Sequence, residues 1–331
     1  MRPFRITAIA LAGRFSALAL LALALAVPPP VFAQYPNRTI TLVVPFTVGT
    51  AVDFMARTLG QRMSERWGQA VVVDNKAGAS ANIGIQAVAK ADPDGHTLLM
   101  SATSFVTNAA INKRVPYNPE KSFVPVILIA SGTMSLLAAN GTPARSVQEL
   151  VAIARKMPGK LNYGSPGNGT PHHLSMELFK RDSGVDLTHI PYKGTAGVLT
   201  DIVGGRLDAA FMPFHVAVPY TQQGSMRMLA VLASERSPIL PNVPTMREAG
   251  FPNVHVEQWY GMHAPAGTPQ DIVAKLNAEI NSQLALPAVR DALSKQGLNI
   301  IGGPPSRLAE LVSSEFARWP RIVAEAGIRA D

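Results

Sequence analysis

The sequence contains no cysteine, and only 16% of its 331 residues are Asp, Glu, Lys or Arg. The absence of thiols excludes disulfide bonds, cysteine catalysis, zinc fingers and Cys-ligated iron–sulfur clusters. There are 30 Lys and Arg against 22 Asp and Glu, but the basic residues are scattered singly, without runs. We therefore predict a solvated basic surface and no nucleic-acid partner. With 47% hydrophobic residues, the chain is predicted to form two domains of ordinary size with real cores.

The first 33 residues have the pattern of a secretory signal peptide. Arginines at positions 2, 5 and 14 precede an uncharged stretch over residues 15–27, and small residues occupy positions 31 and 33. The apolar stretch is shorter than the roughly 20 residues needed to cross a bilayer. We predict cleavage after Ala33 and export of a soluble protein to the periplasm. An uncleaved membrane anchor is the alternative.

After residue 33, short β-rich runs alternate with helical patterns. Strands are predicted at 40–44, 71–73, 97–101, 124–130, 134–139, 161–164, 186–190, 208–211, 228–232 and 254–264. Helices are predicted at 52–67, 83–90, from 146 onward, 171–182, 198–203, 216–223 and 268–284, with shorter helices after Pro287 and Pro305. This alternation predicts an α/β fold with mostly parallel sheets.

Capping signals mark three helix starts. Ser146 and Glu149 have the spacing of a capping box, in which each residue satisfies a free N–H of the first turn. Pro171 is suited to a first helical position, and Thr268 followed by Pro269 predicts a cap and a first helical residue.

The spacing of the elements also predicts how the chain is divided. The runs 124–130 and 134–139 leave no room for a helix between them, and residues 237–253 form a connector rich in proline and polar residues. We predict a bilobed molecule, with lobe 1 formed by residues 34–133 and 255–331 and lobe 2 by residues 134–254. In such folds, ligands bind where strand ends meet helix N-termini.

Two turns that lead from a strand into a helix are the strongest candidates for a binding site. Loop 1, residues 44–53, contains Gly49 among small Thr and Ala side chains. Loop 2, residues 163–173, contains three glycines together with Ser165 and Thr170. Uncovered amides at a helix N-terminus, with the positive end of the helix dipole, suit an anion such as a carboxylate. We predict that the two loops, one from each lobe, bind a small anion.

Enzyme motifs are incomplete in this sequence. Residues 164–167 do not match the G-x-S-x-G nucleophile elbow, and the dinucleotide fingerprint and the phosphate loop are missing. No H-E-x-x-H zinc motif is present, so packing or capping roles suit the nearby histidines better than metal binding. We predict no catalytic residue, no metal and no cofactor. The candidate metal ligands considered are His172, His173, Glu177 and His189.

Further motifs extend from residue 35 to residue 269. They are Tyr35-Pro36, Val44-Pro45-Phe46 with Asp53 and Arg57, Gly164-Ser165-x-Gly167-x-Gly169-Thr170, His173-Leu174, Pro191-Tyr192-Lys193-Gly194, Gly204-Gly205-x-x-Asp208 and Ala264-Pro265-Ala266-Gly267-Thr268-Pro269. In this order and spacing they resemble the periplasmic substrate-binding proteins of tripartite tricarboxylate transporters, the Bug (Bordetella uptake gene) family. The resemblance implies a bilobed periplasmic-binding-protein fold of type II, in which two α/β domains and a hinge close an interdomain cleft around a small carboxylated ligand.

The resemblance also implies which residues contact the ligand. In the family, the carboxylate is held by backbone amides, hydroxyls and ordered waters, without an obligatory Arg or Lys. The implied ligand-binding residues are Phe46, Thr47, Val48, Gly49, Thr103, Ser104, Ser165, Gly167, Gly169, Thr170 and Asp208.

Two departures from the family pattern bear on the ligand. The chain has Val48-Gly49-Thr50 where the family commonly has Pro-Gly-Gly, and Thr50 disfavours positive φ because it has a Cβ. It has Met212 where many members carry an Asp. Met212 and Phe214 therefore predict a more apolar pocket, one that favours an aromatic or otherwise hydrophobic carboxylate over an amino acid.

These observations together predict a monomeric, non-enzymatic solute-binding protein. Its lobes close on an organic anion and deliver it to the integral-membrane subunits of a transporter. Two alternatives remain open at this point: a sensory component that presents its ligand-bound form to a receptor or kinase, and a secreted hydrolase that uses Ser165 with His172.

Overall fold

The computed structural model describes residues 35–112 and 114–325. The predicted signal peptide, residues 1–33, lies outside the described residues. All that follows concerns the compact unit that begins at Arg38. In the described part of the chain, no helix has both the length and the apolar character needed to cross a membrane.

Strands and helices alternate as predicted, and most of their boundaries agree with the prediction to within a few residues. The strands are β1 Ile40–Val44, β2 Val71–Asn75, β3 Thr97–Ala102, β4 Phe123–Gly132, β5 Met134–Ala139, β6 Asn162–Ser165, β7 Thr188–Pro191, β8 Ala209–Pro213, β9 Met226–Val231, β10 Gln258–Pro265 and β11 Leu298–Ile300. The helices are α1 Ala51–Trp67, α2 Asn82–Ala89, α3 Ser104–Ile111, α4 Val147–Lys156, α5 Pro171–Ser183, α6 Thr195–Val203, α7 Phe214–Gln222, α8 Gln270–Leu284, α9 Pro287–Lys295 and α10 Pro305–Glu325.

Across the described residues, the strands form two mixed sheets. Sheet A has the order β11-β4-β10-β3-β1-β2, and sheet B has the order β7-β6-β8-β5-β9. β1 is parallel to β2 and β3, and β6 is parallel to β7 and β8, but the remaining pairs are antiparallel. The prediction of mostly parallel sheets is therefore wrong. β5 and β10 each enter their sheet from the other sheet rather than through a crossover helix, so nothing forces them to run parallel.

The chain passes from sheet A to sheet B at Thr133, the single residue between β4 and β5, and returns through residues 232–257. The Thr133 carbonyl accepts a hydrogen bond of 2.8 Å from the N–H of Phe214, while Gln258 pairs with Gly132 at the start of β10. The predicted lobe boundaries, 133/134 and 254/255, fall in these two connections and stay a prediction.

Helices α1 and α5, which follow loops 1 and 2, begin in the same way. Thr50 and Thr170 cap them, each side chain accepting a hydrogen bond from the backbone N–H three residues further on. Pro171 lies in the first turn of α5, as predicted, and the two helices end at left-handed glycines, Gly68 and Gly184. The sequence thus gives both site helices a polar start and a defined end.

The other two capping predictions differ in outcome. Ser146 caps α4 and accepts a hydrogen bond of 3.1 Å from the N–H of Glu149, but the Glu149 carboxylate accepts from the N–H of Arg145 rather than from that of Ser146. The prediction that Thr268 caps α8 is wrong. Its hydroxyl donates to the Pro265 carbonyl at 2.8 Å, in the turn before the helix, and α8 begins two residues later without a side-chain cap.

Two helices depart from the predicted pattern. α3 was not predicted, because its Thr, Val, Asn and Phe residues have low intrinsic helix propensity. Residues 104–108 are buried and α3 packs against α10, so tertiary packing rather than local preference makes this segment helical. α10, expected to be short, spans 21 residues and continues through Pro320.

Candidate functional site

Loops 1 and 2 both line one cavity of about 270 Å³. The rest of its wall comes from the end of β3 and Ser104 after it, from the end of β8, from the beginning of β10 and from the N-terminal parts of α6 and α7. Residues from sheet A elements and sheet B elements therefore share this space. The volume lies just below the range of about 300–1,000 Å³ found for small-molecule pockets.

The first residues of five helices line the cavity. They are Ala51 and Val52 of α1, Ser104 of α3, Pro171 and His172 of α5, Thr195 and Ala196 of α6, and His215 and Val216 of α7. The N–H groups of a first helical turn have no intrahelical acceptor and carry the positive end of the helix dipole. Among the described residues that line the cavity there is no Asp, Glu, Lys or Arg; Lys193 lies in a small adjoining pocket. Fixed dipoles rather than an ion pair therefore favour an anion here.

Loop 1 is held in place by the buried carboxylate of Asp53. Its Oδ2 accepts a hydrogen bond of 3.0 Å from the N–H of Gly49, and its two oxygens accept from Arg57 at 3.1 and 2.9 Å. Asn75 Nδ2 donates to Asp53 Oδ1 at 2.9 Å and to the Phe46 carbonyl at 3.1 Å. Burial alone would raise the pKa of Asp53, but the hydrogen bonds from Arg57, Gly49 and Asn75 outweigh it and hold that pKa below its ordinary value.

The turn of loop 1 is made at Gly49. Its φ is 85°, whereas Thr50 has a φ of −77° and serves as the helix cap. Threonine at position 50 is thus compatible with the loop, because the positive φ falls on the glycine. The Gly49 amide is occupied by Asp53, while the N–H groups of Ala51 and Val52 have no hydrogen-bond partner among the described residues.

Loop 2 uses its own polar groups to hold its shape. Ser165 is fully buried; its hydroxyl donates to the Gly167 carbonyl at 3.1 Å and lies 2.7 Å from His189 Nε2. The N–H of Gly167 donates to Ser165 Oγ at 3.2 Å, and that of Gly169 to Nδ1 of His173 at 3.3 Å. The loop glycines, with φ of 131° and 76°, therefore shape the turn, and their amides are used inside the protein.

Loop 2 also packs against elements connected to sheet A. A Cβ at Gly167 would lie 2.5 Å from Ser80 Oγ, and one at Gly169 would lie 2.5 Å from Asn108 Oδ1. The Thr107 hydroxyl donates to the Gly169 carbonyl at 2.6 Å. The two glycines therefore let loop 2 lie so close to these side chains that an added Cβ would clash with them.

Three buried polar side chains that line the cavity have no hydrogen-bond partner in the described structure. They are Ser104 through Oγ, His172 through both ring nitrogens, and Gln258 through Oε1. Their residues are 1%, 6% and 6% exposed, respectively. Buried polar groups are almost always hydrogen-bonded in folded proteins, and these three belong to residues that line the cavity shared by loops 1 and 2.

The histidines that line the cavity are neutral. Burial lowers the pKa of His172 to about 3 and that of His215 to about 4. At pH 7 each imidazole offers one N–H donor and one acceptor nitrogen, without a charge. Within the described residues, no group of three or more His, Asp or Glu is arranged to hold a metal ion.

The structure brings together about half of the predicted site residues. Those that line the cavity are Phe46, Thr47, Val48, Gly49, Ser104 and Thr170. Those that do not are Thr103, Ser165, Gly167, Gly169 and Asp208.

Thr103 and Asp208 have hydrogen bonds elsewhere. The Thr103 hydroxyl accepts from the N–H of Trp259 at 2.9 Å and donates to a neighbouring carbonyl, so it ties α3 to the segment before β10. The Asp208 carboxylate accepts from the N–H of Asn162 at 2.8 Å and from the Thr142 hydroxyl at 3.1 Å. Both side chains are thereby engaged in holding the fold.

Met212 and Phe214 are also absent from the cavity wall. Met212 is fully buried in the core beside sheet B, and Phe214 lines a different pocket near β11. The wall is nevertheless largely apolar, because Val48, Leu199 and Val216 contribute to it. The pocket is therefore apolar, as expected, but because of these residues and not because of Met212 and Phe214.

Among the lining residues that the sequence did not predict are Gln258 and those of the first turns of α6 and α7. His172 belongs to loop 2 but was not among the predicted ligand contacts. The rule that selected loops 1 and 2, a turn from a strand into a helix, applies equally to the turns after β7 and β8. Applied to every strand, it selects the starts of α6 and α7. No sequence signal distinguishes Gln258, which belongs to a strand.

Comparison with known proteins agrees with this architecture. The model of the tripartite tricarboxylate transporter family receptor matches residues 55–328. The chain belongs to this family. The resemblance read from the sequence motifs is thereby confirmed.

Three solved structures are similar to this receptor chain over most of its length. The R. palustris protein Rpa4515, solved with adipate, is 38% identical with a TM-score of 0.85, covering 89% of this chain and 99% of that one. The periplasmic binding protein BugD is 32% identical with a TM-score of 0.84, covering 89% and 99%. MatC from Rhodopseudomonas palustris, solved with bound malate, is 35% identical with a TM-score of 0.83, covering 87% and 100%. The predicted bilobed periplasmic-binding-protein fold is confirmed.

Proposed function

We propose that this receptor is a periplasmic solute-binding protein that captures a small organic carboxylate between two lobes and delivers it to a tripartite tricarboxylate-type membrane transporter. The observation that carries the proposal is the cavity, which the starts of five helices line and to which the described residues contribute no charged side chain. Backbone dipoles in this arrangement stabilise a carboxylate without an ion pair. Two of the similar structures hold adipate and malate, which are both small carboxylates.

The lobes of this proposal are residues 34–133 with 255–331, and residues 134–254. Thr107 of the first bonds to Gly169 of the second at 2.6 Å, and a Cβ at Gly194 would lie 3.0 Å from the Thr47 side chain. Both contacts lie close to the cavity. A ligand that touches both lobes therefore favours the arrangement in which the two lobes are in contact. Binding then shifts an open–closed equilibrium toward the closed state.

The site supports binding and release of a ligand that is not chemically changed. Ser165, the candidate nucleophile of the hydrolase alternative, is fully buried and does not line the cavity. Its hydroxyl donates to the Gly167 carbonyl. A nucleophile must reach its substrate to attack it, so we propose that the protein binds its ligand without catalysis.

We also propose that the chain is exported and cleaved after Ala33, and that its partners are the integral-membrane subunits of the transporter. The basic start and short apolar stretch of residues 1–33 support export. The similar protein BugD is a periplasmic binding protein.

A thermal-shift screen of the mature protein tests this function. The panel contains mono-, di- and tricarboxylates, amino acids and neutral analogues such as the corresponding amides. A ligand at a hundredfold excess over its dissociation constant adds about 2.7 kcal/mol of stability, which raises the unfolding temperature by about 5 °C. We expect such a shift from at least one carboxylate and none from its amide. Shifts with amides alone would contradict the proposal.

Replacing Ser104 with Ala is expected to weaken carboxylate binding by about tenfold or more, because a hydrogen bond to a charged group contributes about 1.5–3 kcal/mol. Isothermal titration calorimetry measures the change. Ser175→Ala is the matched control, since its hydroxyl is equally buried and unpartnered but lies away from the cavity. Equal losses of affinity in both variants would place the ligand elsewhere.

Ligand affinity is expected to change less than about twofold between pH 6 and pH 8 for an acid that is fully ionised there. The pKa values of His172 and His215, about 3 and about 4, lie below this range. If an imidazolium neutralised the ligand, affinity would instead fall by about tenfold per pH unit above its pKa. Titrations at three pH values distinguish the two outcomes.

A further inference from the structure

Lys193 lies on the turn between β7 and α6, beside the two loops of the cavity. β6 and β7 are parallel, so loop 2, which follows β6, and this turn leave sheet B at the same edge. The next residue, Gly194, packs against loop 1, where an added Cβ would lie 3.0 Å from the Thr47 side chain. The small pocket that Lys193 lines shares Thr47 and Thr170 with the cavity wall. Lys193 therefore lies at the rim of the cavity.

The positive charge of Lys193 is not paired locally. The residue is exposed, and among the described residues no carboxylate forms an ion pair with its ammonium group. The charged residues of the neighbouring helices occur as pairs instead, Asp53 with Arg57 on α1 and Asp201 of α6 with Arg206. The fields of two opposite charges in contact largely cancel at a distance. A net positive charge therefore remains at the rim.

The charge of Lys193 and the dipoles of the cavity act over different distances. The effect of a helix dipole falls off within about one turn, so the helix starts stabilise an anion that is already inside. A unit charge in water acts over about 10 Å at an ionic strength of about 0.1 M. Because this distance exceeds the length of a lysine side chain, the charge reaches the rim in any rotamer. It therefore attracts an anion that is still in solution.

We infer that Lys193 is the entry residue of this receptor: it attracts the anionic ligand to the gap between loops 1 and 2 and raises the rate of association. The inference rests on the proposed function, and it concerns how the ligand reaches the site rather than which carboxylate binds there. The bound ligand is held by the cavity, so the rate of dissociation does not depend on Lys193.

Stopped-flow fluorescence tests the inference. The probes are adipate and malate, or another dicarboxylate of the thermal-shift panel if neither binds. At about 20 mM salt, Lys193→Gln is expected to lower the association rate constant about threefold, and Lys193→Glu, which changes the charge twice as much, about tenfold. At about 500 mM salt, both differences are expected to shrink to less than about 1.5-fold, because the charge is screened. The dissociation rate constants should stay within about 1.5-fold of the wild type at either salt concentration.

Lys160→Gln is the matched control. Lys160 is also exposed, but it precedes β6 and so lies at the opposite edge of sheet B. The substitution changes the net charge equally, and we expect an association rate constant within about 1.5-fold of the wild type. Both lysines are exposed, so their replacement leaves the folded structure intact.

Three results would overturn the inference and leave the proposed function intact. They are equal slowing of association in Lys193→Gln and Lys160→Gln, an effect of Lys193→Gln that persists at high salt, and an effect on dissociation alone, which would make Lys193 a contact of the bound ligand. Failure of every carboxylate of the panel to bind the wild type would contradict the proposed function, which the inference requires.

Discussion

Replacing Asp53 with Ala is expected to lower the free energy of unfolding by about 2–3 kcal/mol and ligand affinity by about thirtyfold or more. The Asp53 carboxylate accepts hydrogen bonds from Gly49, Arg57 and Asn75. Without it, the Gly49 amide loses its acceptor, Asn75 Nδ2 keeps only the Phe46 carbonyl, and loop 1 loses the contact that fixes it against α1. Chemical denaturation and calorimetry measure the two effects.

The pH dependence of this effect has a definite sign. Because hydrogen bonds hold the pKa of Asp53 below its ordinary value of 3.8, its contribution is fully present above that value and is lost as pH falls through the lower pKa of the folded state. The stability difference between the wild type and Asp53→Asn is therefore expected to persist from pH 7 to about pH 5 and to shrink below about pH 3.8.

Asp94→Ala provides the matched control. Asp94 also pairs with an arginine, Arg38, and accepts a backbone hydrogen bond, from the N–H of His96 at 2.9 Å. It does not line the cavity. We expect this variant to bind carboxylates as the wild type does. If it lost affinity as strongly as Asp53→Ala, the effect at Asp53 would not act through loop 1.

Gly169→Ala is the second substitution with a large expected effect, a loss of ligand affinity of about tenfold or more. Gly169 has a φ of 76°, and an added Cβ would lie 2.5 Å from Asn108 Oδ1 and 3.4 Å from its Cα. The substitution therefore combines the cost of a left-handed alanine, about 1–2 kcal/mol, with a clash against Asn108 of α3, which belongs to the other proposed lobe. Only the second cost opposes closure, so the ligand-free protein should lose less than the complex.

Gly184→Ala separates the two costs. Gly184 has a similar φ of 67°, at the end of α5, and an added Cβ meets nothing within 4 Å. Thermal unfolding without ligand is expected to show similar destabilisation in both variants, whereas calorimetry should show weaker binding only in Gly169→Ala. Equal affinities in the two variants would mean that the contact at Gly169 does not contribute to closure.

Local sequence patterns were sufficient to predict the elements in which the helix cap, the apolar spacing and the terminating residue all indicate the same structure. The helix from 52 to 67 has its cap, Thr50, and its terminating Gly68 within the sequence pattern itself. The pattern around 170–183 is equally complete. Loops 1 and 2 could be selected as binding-site candidates because their glycines and threonines precede these two helices.

Sequence patterns were insufficient where tertiary packing decides. Helix α3 forms although its residues favour other conformations, and it brings Ser104 to the cavity. The antiparallel course of β10 places Gln258 in the wall, and no local periodicity encodes which strand it pairs with. The hydrogen bonds of the loop glycines could not be predicted from the sequence either. The acceptor of the Gly49 amide is Asp53, and the two residues come together only through the geometry of the turn.

The single-residue passage at Thr133 bears on which parts of the site move during ligand capture. When the lobes rotate as proposed, atoms near the passage move least and atoms far from it move most. Gln258 pairs with Gly132, the residue next to this passage, and so it keeps nearly the same place in the open and closed molecules. The start of α7 is likewise tied to the passage, because the Phe214 N–H donates to the Thr133 carbonyl, so in the proposed closure the starts of α5 and α6 are the parts of the cavity wall which this bond does not hold near the pivot.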